Sequence, residues 1–81
     1  MDKIENLVKF VVEQFAEYKD KIEYKTEEKE TAIEITVFLE EADMGKVIGK
    51  QGKIAKALRT LVKASTPRDS KKYLVEIKEK A

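Results

Sequence analysis

Two glycines, Gly49 and Gly52, enclose Lys50 and Gln51, with Lys46 ahead of them and Lys53 and Lys56 behind. These residue types suit the holding of an anion rather than its chemical transformation. Glycine lets the backbone approach a ligand without a Cβ in the way, a helix starting beside Gly52 presents unpaired N–H groups, and lysines add mobile positive charge. The surrounding segment carries the same bias. Residues 44 to 68 contain seven basic residues (Lys46, Lys50, Lys53, Lys56, Arg59, Lys63 and Arg68) and no acid. Residues 1 to 43 hold six basic and thirteen acidic residues, and residues 69 to 81 hold four and three, so the net charge of +1 conceals a strong segregation. A lysine run by itself is ordinarily a solvated helix face. In a chain that elsewhere mixes Glu with Lys freely, a long stretch without acids argues for an electrostatic field suited to a polyanion.

Other chemistries lack their residues. The chain contains neither Cys nor His, which removes thiol chemistry, the usual zinc sites and His-based catalytic triads. A Walker A loop needs Ser or Thr after Gly-Lys, whereas Gly52-Lys53 is followed by Ile54, and the earlier glycine of that motif is missing. The carboxylates read as helix-surface and turn charges, so neither an enzyme nor a cofactor is expected. The first twenty residues are charged every few positions, unlike a signal peptide or a membrane span, and a cytoplasmic location with no membrane contact is expected.

The elements that must position the glycine loop follow from periodicity. Ile4, Leu7, Val8, Val11, Val12 and Phe15 fall at three-four spacing and predict a helix over residues 3 to 18, capped by Asp2 with Glu5 closing a capping box. Phe10 points away from that stripe and is expected to be exposed. Ile22, Tyr24 and Thr26, then Ile33, Ile35, Val37 and Leu39, alternate as two strands joined by a short charged turn without glycine. Residues 41 to 48 read as a short helix with Met44, Val47 and Ile48 on one side, ended by Gly49. After Gly52 a further helix places Ile54, Leu58, Leu61, Val62 and Ser65 inward, with Lys53, Lys56, Arg59 and Lys63 opposite. Residues 64 to 72 hold the only proline, Pro67, and read as a loop, and Tyr73, Val75 and Ile77 form a last strand. With 81 residues there is room for one domain, of α+β class and order α-β-β-α-α-β, its three-stranded mixed sheet packed on helices. The second strand, richest in β-branched residues, should be central, and the two-helix crossover that follows it suits parallel pairing with the last strand.

At residues 45 to 59, GKVIGKQGKIAKALR, the sequence resembles the KH family, in which a Gly-x-x-Gly loop joins two helices. Ile48 and Ile54 supply the aliphatic residues that flank the motif in that family, and the element order is similar to the type II, prokaryotic form of the fold. The likeness spans essentially the whole chain, which within the family looks like the stand-alone bacterial proteins of the KhpA type. It implies a single-stranded RNA ligand, post-transcriptional regulation or RNA chaperone activity, and a companion in a larger KH protein of the KhpB type. A homodimer is the other assembly to weigh, with Phe10 as a contact. The RNA contacts implied are Lys46, Val47, Ile48, Gly49, Lys50, Gln51, Gly52, Lys53, Ile54 and Lys56, KH loops clamping about four nucleotides. The bases are expected in an aliphatic groove made by Val47, Ile48, Ile54 and part of the second strand. No aromatic residue lies between residues 39 and 72, so a stacking platform is not expected. Gly-x-x-Gly spacing alone also fits a simple turn, a protein-interaction module built on the same fold is the alternative, and the loop mechanism does not itself distinguish RNA from DNA.

Overall fold

In the computed structural model, which describes residues 2–80, helix α1 spans Lys3–Phe15. Its start is held by the expected capping box: the Glu5 N–H donates to the Asp2 side chain at 2.8 Å and the Asp2 N–H to the Glu5 side chain at 3.1 Å. The same two acids reach the sheet, since the Thr26 hydroxyl donates to Glu5 at 2.6 Å and the Tyr73 hydroxyl to Asp2 at 2.7 Å. Tyr73 is pushed up to about 12, with the Asp2 hydrogen bond as the largest cause.

The helix stops at Phe15, short of residue 18, and the reason lies in another element. Both oxygens of Asp43 accept backbone hydrogen bonds, from Glu17 N–H at 2.8 Å and from Tyr18 N–H at 2.9 Å. Those amides are thereby withdrawn from the helical ladder, and Ala16 is already extended. Phe15, expected on the core stripe, is accordingly 43% exposed, while Ala16 is buried in its place. A single 3-10 turn, Lys19–Lys21, then leads into the sheet.

Strand β1 (Glu23–Glu28) pairs antiparallel with β2 (Ala32–Leu39), which pairs parallel with β3 (Lys72–Glu79). The order is β1-β2-β3, so β2 is central as its composition predicts. The glycine-free turn is closed by the Lys29 N–H on the Ala32 carbonyl at 2.7 Å. Register sets Tyr24 beside Val37 and Ile35 beside Val75, and the period of two sends one row of side chains inward. Helix α2 (Glu41–Ile48) and helix α3 (Lys53–Ser65) follow β2. Ile4, Val8 and Val12 of α1, Val47 of α2, and Leu58 and Val62 of α3 meet Ile35, Val37, Leu39 and Val75 in one core. Leu61 departs from expectation at 47% exposed, because the buried line of α3 runs through Ala55, Leu58 and Val62 and leaves Leu61 on its flank.

The row of side chains opposite the core carries charge pairs such as Lys25–Glu27 at 3.3 Å and Lys29–Glu34 at 3.3 Å. Exposed pairs of this kind contribute about 0–1 kcal/mol, so the fold is held mainly by its core and caps. Among the described residues no helix is long and apolar enough to cross a membrane.

Candidate nucleic-acid interface

Gly49 ends α2 at φ 80°, ψ 169°, and its N–H donates to the Gly45 carbonyl at 2.9 Å. A Cβ at Gly49 would lie 2.7 Å from Cγ1 of Ile54, so glycine here answers both the positive φ and the close packing of Ile54. The next three residues, Lys50–Gly52, form one 3-10 turn closed by the Gly52 N–H on the Gly49 carbonyl at 3.1 Å. Gln51 is left-handed (φ 59°, ψ 24°), as is Gly52 (φ 74°, ψ 16°), which caps α3 without any side-chain hydrogen bond. The first turn of α3 has no acid, so the positive end of its dipole faces the loop without a carboxylate from its own turn.

Lys50, Gln51, Lys53 and Lys56 are exposed around this turn, and Ile48, Gly49, Gly52 and Ile54 are half-buried beneath them. Among the described residues no carboxylate lies within ion-pair distance of Lys50, Lys53, Lys56 or Lys63. This differs from the lysines of the sheet, most of which are paired. No cluster of three or more metal-ligating side chains occurs among the described residues.

Two of the expected contact residues are placed elsewhere. Val47 is 1% exposed and belongs to the core, because the face of α2 that packs inward carries Val47 together with Asp43. It has no surface left for a ligand. Lys46 reaches the α1 exit, where its Nζ lies 2.6 Å from Glu17 Oε1. The hydrogen bond between them holds the Glu17 carboxyl below its usual range and raises Lys46. Its charge is therefore already paired.

An open groove of about 890 Å³ runs between α3 and β3, bordered by the segment that joins them. Strand β2 contributes Glu34, Ile35 and Thr36 to its lining, whereas Val47, Ile48 and Ile54 do not line it. Arg59, Lys63, Arg68, Tyr73, Leu74 and Val75 are among its lining residues. Periodicity places Arg59 and Lys63 on the outer face of α3 but does not disclose that β3 lies across from them. Arg59 in fact donates through Nε to the Val75 carbonyl at 3.1 Å. Tyr73, just beyond the aromatic-free stretch, reaches the groove with its hydroxyl held by Asp2. Asp43 was also concealed from sequence reasoning, which counts it as one more surface acid, although it is 0% exposed and joins α1 to α2.

The chain is similar to several bacterial proteins. One named RNA-binding protein KhpA in Listeria monocytogenes is 38% identical over 76 residues, covering 94% of this chain and all of the relative. A protein of the same name in Bacillus subtilis is 39% identical over 74 residues, 91% of each chain. Another in Caldanaerobacter subterraneus is 42% identical over 71 residues, 88% of this chain and 95% of the relative. No solved structure matches significantly. A family model described as KhpA/KhpB, KH domain, matches residues 5–77, a span that includes most of all three helices, most of the sheet and the glycine loop. With its helices and mixed sheet in the order of the type II KH fold, the chain belongs to the KhpA/KhpB KH domain family.

Proposed function

We propose that the chain binds single-stranded RNA, gripping the sugar-phosphate backbone at Gly49-Lys50-Gln51-Gly52 and laying the bases into the groove between α3 and β3. The observation that carries this reading is the set of lysines, unpaired among the described residues, around an open, glycine-bounded turn at the start of α3, which has no side-chain cap. The names of the relatives, RNA-binding proteins of the KhpA type, point the same way. Phosphate oxygens accept hydrogen bonds from the loop and first-turn N–H groups, and Lys50, Lys53 and Lys56 neutralise successive phosphates. Ile48 and Ile54 contribute only their exposed edges. The cellular role that fits is post-transcriptional regulation or RNA chaperoning in the cytoplasm, alone or with a larger KhpB-type protein.

The test is an RNA titration across salt. With Lys50, Lys53 and Lys56 as the contacts, about three phosphates are neutralised, which gives a log-log slope of roughly −2 for a single strand. Affinity should then fall about twenty-fold between roughly 50 and 200 mM salt. Duplex RNA should compete poorly, because bases must be free to splay from the stack. An affinity indifferent to salt would refute the reading.

A protein-interaction role is favoured by one feature, the apolar surface of α1, where Phe10 is 65% exposed. It is the contact to test for a homodimer or for docking a KhpB-type protein. Phe10→Glu should lower the sedimenting mass if the chain self-associates through this face. Equal mass for parent and variant removes that face from self-association.

A further inference from the structure

The seven basic residues between positions 44 and 68 look alike in the sequence, but the structure treats one of them differently. Among the described residues Lys46 alone of the seven has a carboxylate within ion-pair distance, its Nζ lying 2.6 Å from Glu17 Oε1. That carboxylate comes from the segment leaving α1, so a stretch without acids acquires one through space. Glu17 is held to α2 twice. Its N–H donates to Asp43 Oδ1 at 2.8 Å, and its side chain accepts from Lys46. Asp43 and Lys46 are three residues apart and share a face of the helix. Because Asp43 is buried, the backbone of Glu17 is fixed, and its carboxylate meets Lys46 from an anchored starting point.

The pair does little for the fold. Its side chains are 48% and 57% exposed, and ion pairs of that kind contribute little to stability. The fastening of α1 to α2 at this point uses the Glu17 N–H, which Gln or Ala at position 17 would supply equally. What the carboxylate changes is the charge beside the loop. Lys46 stands three residues before Gly49, about 4.5 Å along the axis at 1.5 Å per residue and less than one helical turn from the loop. The Lys46 hydrogen bond holds the Glu17 carboxyl below its usual range, so it is ionised at neutral pH. A phosphate that takes Lys46 gains one ion pair and breaks another. It also leaves Glu17, still tethered through Asp43, as an anion beside it. The exchange brings almost no net gain, whereas Lys50, Lys53 and Lys56 have no such partner among the described residues to give up.

We propose that Glu17 is a built-in competitor of phosphate: by occupying Lys46 it makes the grip on the strand looser than the lysines alone would make it. The inference rests on the reading that the chain binds single-stranded RNA and adds a residue that sets how tightly. Differences in affinity at one interface lie mostly in the rate of dissociation, so Glu17 shortens the time a strand stays bound.

The experiment titrates a short oligouridylate across salt with the parent, Glu17→Gln, Lys46→Ala and the double variant. Freeing Lys46 adds one phosphate contact, which steepens the log-log slope by about 0.7 and strengthens binding about fivefold near 100 mM salt. The fall between roughly 50 and 200 mM should then grow from about twenty-fold to about fifty-fold. Lys46→Ala should cost far less in the parent than beside Glu17→Gln, and the double variant should return to about the parental affinity and slope. Glu41→Gln, which removes an exposed acid from the first turn of α2, controls for net charge and should leave the slope unchanged. Parental affinity and slope in Glu17→Gln overturn the inference and leave the RNA-binding reading standing. An equal gain in Glu41→Gln overturns it too, marking the effect as the general field. Equal costs of Lys46→Ala in the two backgrounds also overturn it. A parent that binds no RNA overturns both readings. Binding is compared at a temperature where every variant is folded, and Glu17→Ala, which keeps the same N–H, takes the place of Glu17→Gln should that variant not fold.

Discussion

Lys50→Asp combined with Gln51→Asp is expected to abolish RNA binding while leaving the melting temperature within a few degrees of the parent. Both side chains are exposed at the tip of the turn, and neither glycine is touched. Position 51 is left-handed at φ 59°, a conformation that Asp tolerates better than most residues. Surface substitutions of this kind change stability by about half a kcal/mol. The electrostatic change is far larger: a cation is removed and two anions are placed where phosphate passes, so an attraction becomes a repulsion at short range. Melting and RNA titration are needed together. Full binding by the folded double variant would sink the assignment of the loop.

The choice of control depends on the structure. Lys71 would serve as a distant lysine, but its Nζ holds Glu28 at 2.7 Å and the Lys29 carbonyl at 2.8 Å, tying the segment before β3 to the β1–β2 turn. Lys71→Asp would disturb that junction. Lys25→Asp is cleaner, since Lys25 lies in the outward row of β1 and pairs only with exposed Glu27. It should weaken RNA binding slightly, through the general field alone.

The largest effect on stability is expected at Asp43. Asp43→Ala leaves the partly buried amides of Glu17 and Tyr18 without their acceptors, and each such loss costs about 1–3 kcal/mol, toward the lower end for groups that water can reach. A total loss of about 3 kcal/mol corresponds to a fall in Tm of roughly 12–24 °C for a domain of this size. Asp43→Asn should recover part of the loss, because its single carbonyl oxygen can still accept. Glu41→Ala, an exposed acid of the same helix, should change Tm little. A melt of Asp43→Ala within a degree or two of the parent would show that the two amides are satisfied some other way. The consequence reaches the interface, because the helix that Asp43 fastens to α1 is the one that delivers Gly49.

What the sequence determined by itself was what depends on neighbours within about four residues. The three-four spacing of Ile4, Val8 and Val12, the Asp2–Glu5 box and the alternation of Ile35, Val37 and Leu39 each specify a local conformation and the face it buries. The glycine loop was legible for the same reason, since Gly49 and Gly52 occupy backbone conformations that other residues resist. Tertiary structure alone decided the partners of polar groups far apart in the chain. Asp43 meets Glu17 across 26 residues and ends α1 early, and Lys46 meets Glu17 across 29. Val47 and the groove between α3 and β3 belong to the same class. Periodicity states which side chains share a face, but which element covers that face, and where an uncovered edge is left beside a helix, is settled only when the elements pack.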